Sequence, residues 1–79
     1  MDIDVIREAV HRQPFRRFAL RLADGRELPI PHPDFVAVSR RRVVVISGDE
    51  SLSILEPLMI VSIDYVGDGQ EQAQEQGTA

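Results

Sequence analysis

Ile3, Ile6 and Val10 recur at spacings of three and four, with Ala9 beside them and Arg7, Glu8, His11 and Arg12 in between. That period predicts an amphipathic helix. Asp2 or Asp4 can accept hydrogen bonds from the open N–H groups at its start. Pro14 disfavours helical geometry at Gln13, so the helix should stop near Arg12. A helix this short is not stable alone in water and must dock its apolar stripe.

Strict alternation follows. Phe18, Leu20 and Leu22 point one way and Arg17, Ala19 and Arg21 the other, until Ala23-Asp24-Gly25 interrupts and Leu28 and Ile30 resume. A two-residue Asp24-Gly25 turn would set Leu22 against Glu27 and Leu28 against Arg21, mixing oil and charge. A three-residue loop with Gly25 left-handed sets Leu20 against Leu28, Phe18 against Ile30 and Arg21 against Glu27, and this is the predicted register. Pro29, Pro31 and Pro33 alternate, so their missing N–H groups fall along one edge, the one away from the first strand. The second strand is therefore expected at or near a sheet edge, with His32-Pro33-Asp34 turning the chain.

Phe35 to Ser39 and Val43 to Ser47 read as a second hairpin around Arg40-Arg41-Arg42. Gly48-Asp49-Glu50 is a turn, Ser51 to Leu55 a further strand, Pro57 the start of a single helical turn, and Val61 to Val66 a last strand. The class is α+β, mainly antiparallel: an N-terminal helix followed by a five- or six-stranded meander, a small barrel or an Sm/SH3-like half-open sheet. Residues 67–79 are polar with nothing larger than Ala to bury and are expected to form a disordered tail. The folded domain is thus 1–66, a size at which a lone core is marginal.

Charge divides the chain. Residues 1–48 carry all nine arginines against six acids, a net +3, whereas 49–79 carry seven acids and no base, for -4 over the 79 residues. There is no cysteine, hence no disulfide and no thiolate metal site. The longest apolar runs, Val43-Val44-Val45-Ile46 and Leu58-Met59-Ile60-Val61, are far short of the roughly 20 residues a bilayer span requires. The acidic N-terminus lacks a signal-peptide core, and a cytoplasmic location is expected.

Little chemistry is written here. Cys and Lys are absent and the serines lie in or beside strands with no nucleophile motif. His11 reads as a solvated helix residue, and His32, held between prolines, as a cross-strand neighbour of Phe18. Two histidines so far apart make no zinc spacing. Asp49 and Glu50 are adjacent carboxylates in a tight turn, where neighbours point apart rather than at one substrate. No catalytic, cofactor or metal residues are assigned. Arg40, Arg41 and Arg42 at a hairpin tip, with Arg16 and Arg17 after the helix, are the candidate nucleic-acid contacts. Against them stand the acidic balance and a shortage of aromatics for base stacking.

Two resemblances rest on these residues. Gln13-Pro14-Phe15-Arg16 through Phe18, Asp24-Gly25-Arg26, His32-Pro33-Asp34-Phe35 and Val43-Val44-Val45 resembles a group of short bacterial proteins, over nearly all of residues 3–66; it implies no activity. The helix with arginines at its end, followed by Leu20-Arg21-Leu22-Ala23-Asp24-Gly25 and β-strands, is similar to the bacterial Sm-like (Hfq-like) RNA chaperones. That similarity implies a bent barrel assembling into rings, with Arg16 and Arg17 on a basic rim. The Lys-His pair those chaperones carry before their last strand would fall near Glu56-Pro57.

The expected function is a non-enzymatic, β-rich interaction or assembly module without a cofactor; the alternative is an Sm-like RNA-binding ring. Both apolar runs send bulky side chains to either side of the backbone, which one short helix cannot cover. A homo-oligomer, dimer or ring, is therefore expected, with outward members of Val43, Val44, Val45, Ile46 or Leu58, Met59, Ile60, Val61 at its centre, or else an unidentified protein partner.

Overall fold

The computed structural model describes residues 1–66; the expectation of a disordered tail concerns 67–79, outside the described residues. Helix α1 spans Ile3–His11. Asp2 caps it by accepting from the Asp4 N–H at 2.9 Å, and Arg12 leaves it in an extended conformation. The order is then β1 (Phe18–Leu22), β2 (Glu27–Ile30), a 3-10 turn (Pro33–Phe35), β3 (Val36–Val38), β4 (Val43–Ile46), β5 (Leu52–Leu55), a second 3-10 turn (Pro57–Met59) and β6 (Ile60–Tyr65).

The strands form two antiparallel three-stranded sheets, β2-β1-β6 and β3-β4-β5, and not a closed barrel. The α+β class and the half-open arrangement are as the pattern predicts. The first hairpin has the predicted register, Phe18 opposite Ile30, Leu20 opposite Leu28 and Arg21 opposite Glu27. Gly25 is left-handed, at φ 94°. β2 is an edge strand. Because the Leu22 N–H bonds the Arg26 carbonyl at 2.8 Å, alternation turns the nitrogen of Pro29 to the free edge, where no donor is required.

Three expectations are corrected. Phe35 belongs to a 3-10 turn, not a strand, because Pro33 opens that turn and His32 Nδ1 caps it, accepting from the Asp34 N–H at 3.1 Å. His32 is accordingly an exposed cap; the cross-strand neighbours of Phe18 are Ile30 and Tyr65. The strands are no simple meander either, since β6 returns to pair with β1, opposing Leu20 to Ile63. Register shifts where Arg21 faces Ser62 and Leu22 faces Ile60, a bulge that places Val61 out of line.

A single apolar cluster joins α1 to the inward faces of both sheets. Ile6, Ala9 and Val10 meet Phe18, Leu20, Leu22, Leu28 and Ile30 from the first sheet, and Val36, Val43, Val45 and Leu55 from the second. The helix thus docks the stripe its periodicity predicts.

Candidate interaction surface

The outward faces of the two sheets differ in kind. On β2-β1-β6, Arg21 stands between two acids: Nη2 lies 2.7 Å from Glu27 Oε2 and Nε 3.3 Å from Asp64 Oδ2. This is an ordinary wet face. On β3-β4-β5, Val44 stands between Ala37 and Ile54, and Ile46 opposite Leu52. No charged residue interrupts this set. Leu52 is 60% and Ile54 64% exposed.

Alternation along β4 sorts the candidate interface residues. Val43 and Val45 are fully buried in the core, as is Ile60, so these three offer nothing to a partner. Val44 and Ile46 face outward, and Leu58 (87% exposed), Met59 and Val61 are also on the surface. Leu52 and Ile54, on the strand predicted over Ser51 to Leu55, complete the apolar face. The cross-strand partners of Val44 and Ile46 would have pointed to them.

The arginines fall into separate settings. Arg40, Arg41 and Arg42 border a shallow groove of about 460 Å³ with Ile3, Pro57 and Leu58. Ser39 holds that loop, its Oγ accepting from the Arg42 N–H at 3.1 Å. Arg16 lies over the Tyr65 ring, 4.6 Å from its centroid, and Arg12 joins it at 5.6 Å. Arg17 is exposed, and its carbonyl accepts from the Val66 N–H at 3.0 Å. The Arg12–Tyr65–Arg16 stack, bridging the end of α1 and the end of β6, has no sequence signal because its members lie some fifty residues apart.

A second groove, about 650 Å³, runs between α1 and β6. Val5, Glu8, Ala9 and Arg12 line it from the helix and Val61, Ile63 and Tyr65 from the strand, with Met1 at its margin. The Met1 amino group donates to the Pro57 carbonyl at 2.9 Å and the Ile60 carbonyl at 3.2 Å.

Two carboxylates carry perturbed protonation. Asp24 is held below the usual aspartate range mainly by the Arg26 backbone N–H and then by the Arg26 side chain. Asp49 is lowered first by the Ser51 hydroxyl and then by the Ser51 N–H. Both fasten loops. Among the described residues, no group of three or more His, Cys, Asp or Glu is placed to hold a metal, and no helix is long and apolar enough to cross a membrane. No protein-family model, curated protein or solved structure matches the chain.

Proposed function

We propose that the chain is a non-enzymatic assembly module whose copies meet through the outward face of β3-β4-β5. The observation that carries this reading is the contrast between the two sheets. The outer face of β2-β1-β6 is capped by the Arg21–Glu27–Asp64 ion pairs, whereas the other presents Ala37, Val44, Ile46, Leu52 and Ile54 together. Ile46, Leu52 and Ile54 are exposed side by side on this face, and a contiguous apolar patch rimmed by polar residues is where partners dock. An antiparallel sheet face of this kind can meet its own copy about a two-fold axis, pairing the β5 side of one with the β4 side of the other. The patch is then the dry centre of an interface whose rim is polar.

Size-exclusion chromatography with light scattering tests it. At about 50 µM the full chain should run as a dimer, and Ile54→Asp should run as a monomer with an unchanged circular dichroism spectrum, because a carboxylate at a desolvated centre is costly. A monomeric mass for the unaltered chain would overturn the reading.

A second reading, an Sm-like RNA-binding ring, draws on the return of β6 to β1, which leaves open edges at β5 and β6. It would use Arg16, Arg17 and the Arg40–Arg42 loop. Arg12 and Arg16 over Tyr65 occupy the aromatic surface a base would need for stacking, which favours the first reading. Filter binding separates them: the assembly module retains only weak RNA affinity that vanishes near 0.15 M salt.

A further inference from the structure

The two open edges of the first sheet are treated differently. On β2, Pro29 carries no N–H to the free edge, so an added strand finds a donor missing. β6 has no such block. The Val66 N–H bonds the Arg17 carbonyl, which makes 17/66, 19/64 and 21/62 the hydrogen-bonded pairs with β1. Ile63 and Tyr65 therefore turn their N–H and C=O groups outward, and among the described residues nothing pairs with them. Ile60 does the same on the near side of the bulge, where its carbonyl accepts from the Met1 amino group.

These outward groups open on the groove beside α1. Its walls are apolar along most of their length, with Val5 and Ala9 on the helix and Val61 and Ile63 on the strand. Its far end is cationic. Arg12 and Arg16 sit over Tyr65, and among the described residues neither has a carboxylate partner; Glu8 is the single acid on the wall. We propose that the free edge of β6 is a strand-addition site for an extended peptide segment carrying a carboxylate side chain. Donors and acceptors repeated at every second residue are met by another extended backbone. The apolar walls take alternate side chains of the incoming segment. The guanidiniums at the Tyr65 end, in excess over Glu8, select an acid there. The site is distinct from the outward face of β3-β4-β5, so assembly through that face leaves it open.

The test uses the full chain, isotopically labelled, and blocked octapeptides of alternating valine and threonine in which one position in turn is Glu, Gln or Lys. At least one Glu peptide should bind roughly tenfold more tightly than its Lys counterpart. It should slow amide exchange at Ile63 and Tyr65 while leaving Ser62 and Asp64, already bonded to β1, unchanged. Arg12→Glu combined with Arg16→Glu should reverse the preference toward Lys, and Ile63→Pro should abolish binding of every peptide. Should Ile63→Pro fail to fold, the charge reversal still decides. Absence of binding by all Glu peptides at millimolar concentration, binding without protection of those two amides, or protection that arises on raising protein concentration alone because a second copy fills the groove, would each overturn the proposal. Failure here leaves the dimer mass and its Ile54→Asp response untouched, so the two readings fail separately.

Discussion

Asp24 and Asp49 hold the same position in two loops of the same build. Each is the middle one of the three residues enclosed by the last backbone bond of its hairpin, and each accepts from the N–H two residues on, Arg26 at 3.0 Å and Ser51 at 3.1 Å. The flanking bonds match as well: Leu22 N–H to Arg26 C=O at 2.8 Å, and Ser47 N–H to Ser51 C=O at 2.9 Å. The third residue of each loop has positive φ, 94° at Gly25 and 70° at Glu50. One loop has the residue suited to that conformation and the other does not.

Glu50→Gly should therefore stabilise the fold, by about 0.5 to 1 kcal/mol, because the left-handed backbone strains a side chain but not glycine. Gly25→Ala should destabilise it by a similar amount, although open space surrounds the position. Urea denaturation of the two variants should move the midpoint in opposite directions.

The loops also predict a pH dependence. Both aspartates have folded-state pKa values below their unfolded ones, so the stability they contribute is present above the unfolded aspartate range and is lost as pH falls through the folded values. Stability should decline on the acid side of pH 4, and Asp24→Asn with Asp49→Asn should flatten that decline. Both groups lie on the surface, so the effect is small and salt-sensitive. An acid limb as steep in the double variant as in the parent would assign the dependence elsewhere.

The first hairpin was legible because its two candidate registers differ in chemistry: only one keeps Leu20 on Leu28 and Arg21 on Glu27. The edge position of β2 was legible from Pro29, the one proline of the alternating set that lies within the strand. The pairing of β6 with β1 was not, since Ile63 and Leu20 lie more than forty residues apart and nothing local distinguishes β1 from β5 as a partner. The same reason hides the Arg12–Tyr65–Arg16 stack and the groove beside it. The capping role of His32 is not legible in the sequence because it depends on the 3-10 turn that Pro33 starts.

Ser62 Oγ is buried without a hydrogen-bond partner among the described residues. Leaving a buried hydroxyl unpaired costs free energy that an alanine in its place avoids. Ser62→Ala should be neutral or stabilising by up to about 1 kcal/mol, read from the thermal midpoint. A loss of stability would place an ordered water or partner at that oxygen.

The run Val43-Val44-Val45-Ile46 is uniform in hydrophobicity, so composition alone does not divide it, whereas the sheet register does. Val45 lies opposite Val36 and Ser53 on the inward face and is fully buried; Val44 lies opposite Ala37 and Ile54 on the outward one. Removing two methyl groups from a packed interior loses both their transfer free energy and the contacts of the atoms around the void. Val45→Ala should therefore cost about 2 to 3 kcal/mol, a large share of the stability of so small a domain. Val44→Ala removes the same atoms from a half-covered face and should cost under about 1 kcal/mol in dilute solution, where copies are apart. Under the proposed assembly that second cost should grow as protein concentration rises, because a copy seated on this face would bury Val44 and link its packing to the fraction associated. Denaturation of both variants at two concentrations measures this directly: equal costs would put the register in error, and a Val44→Ala cost independent of concentration would remove this face from the interface.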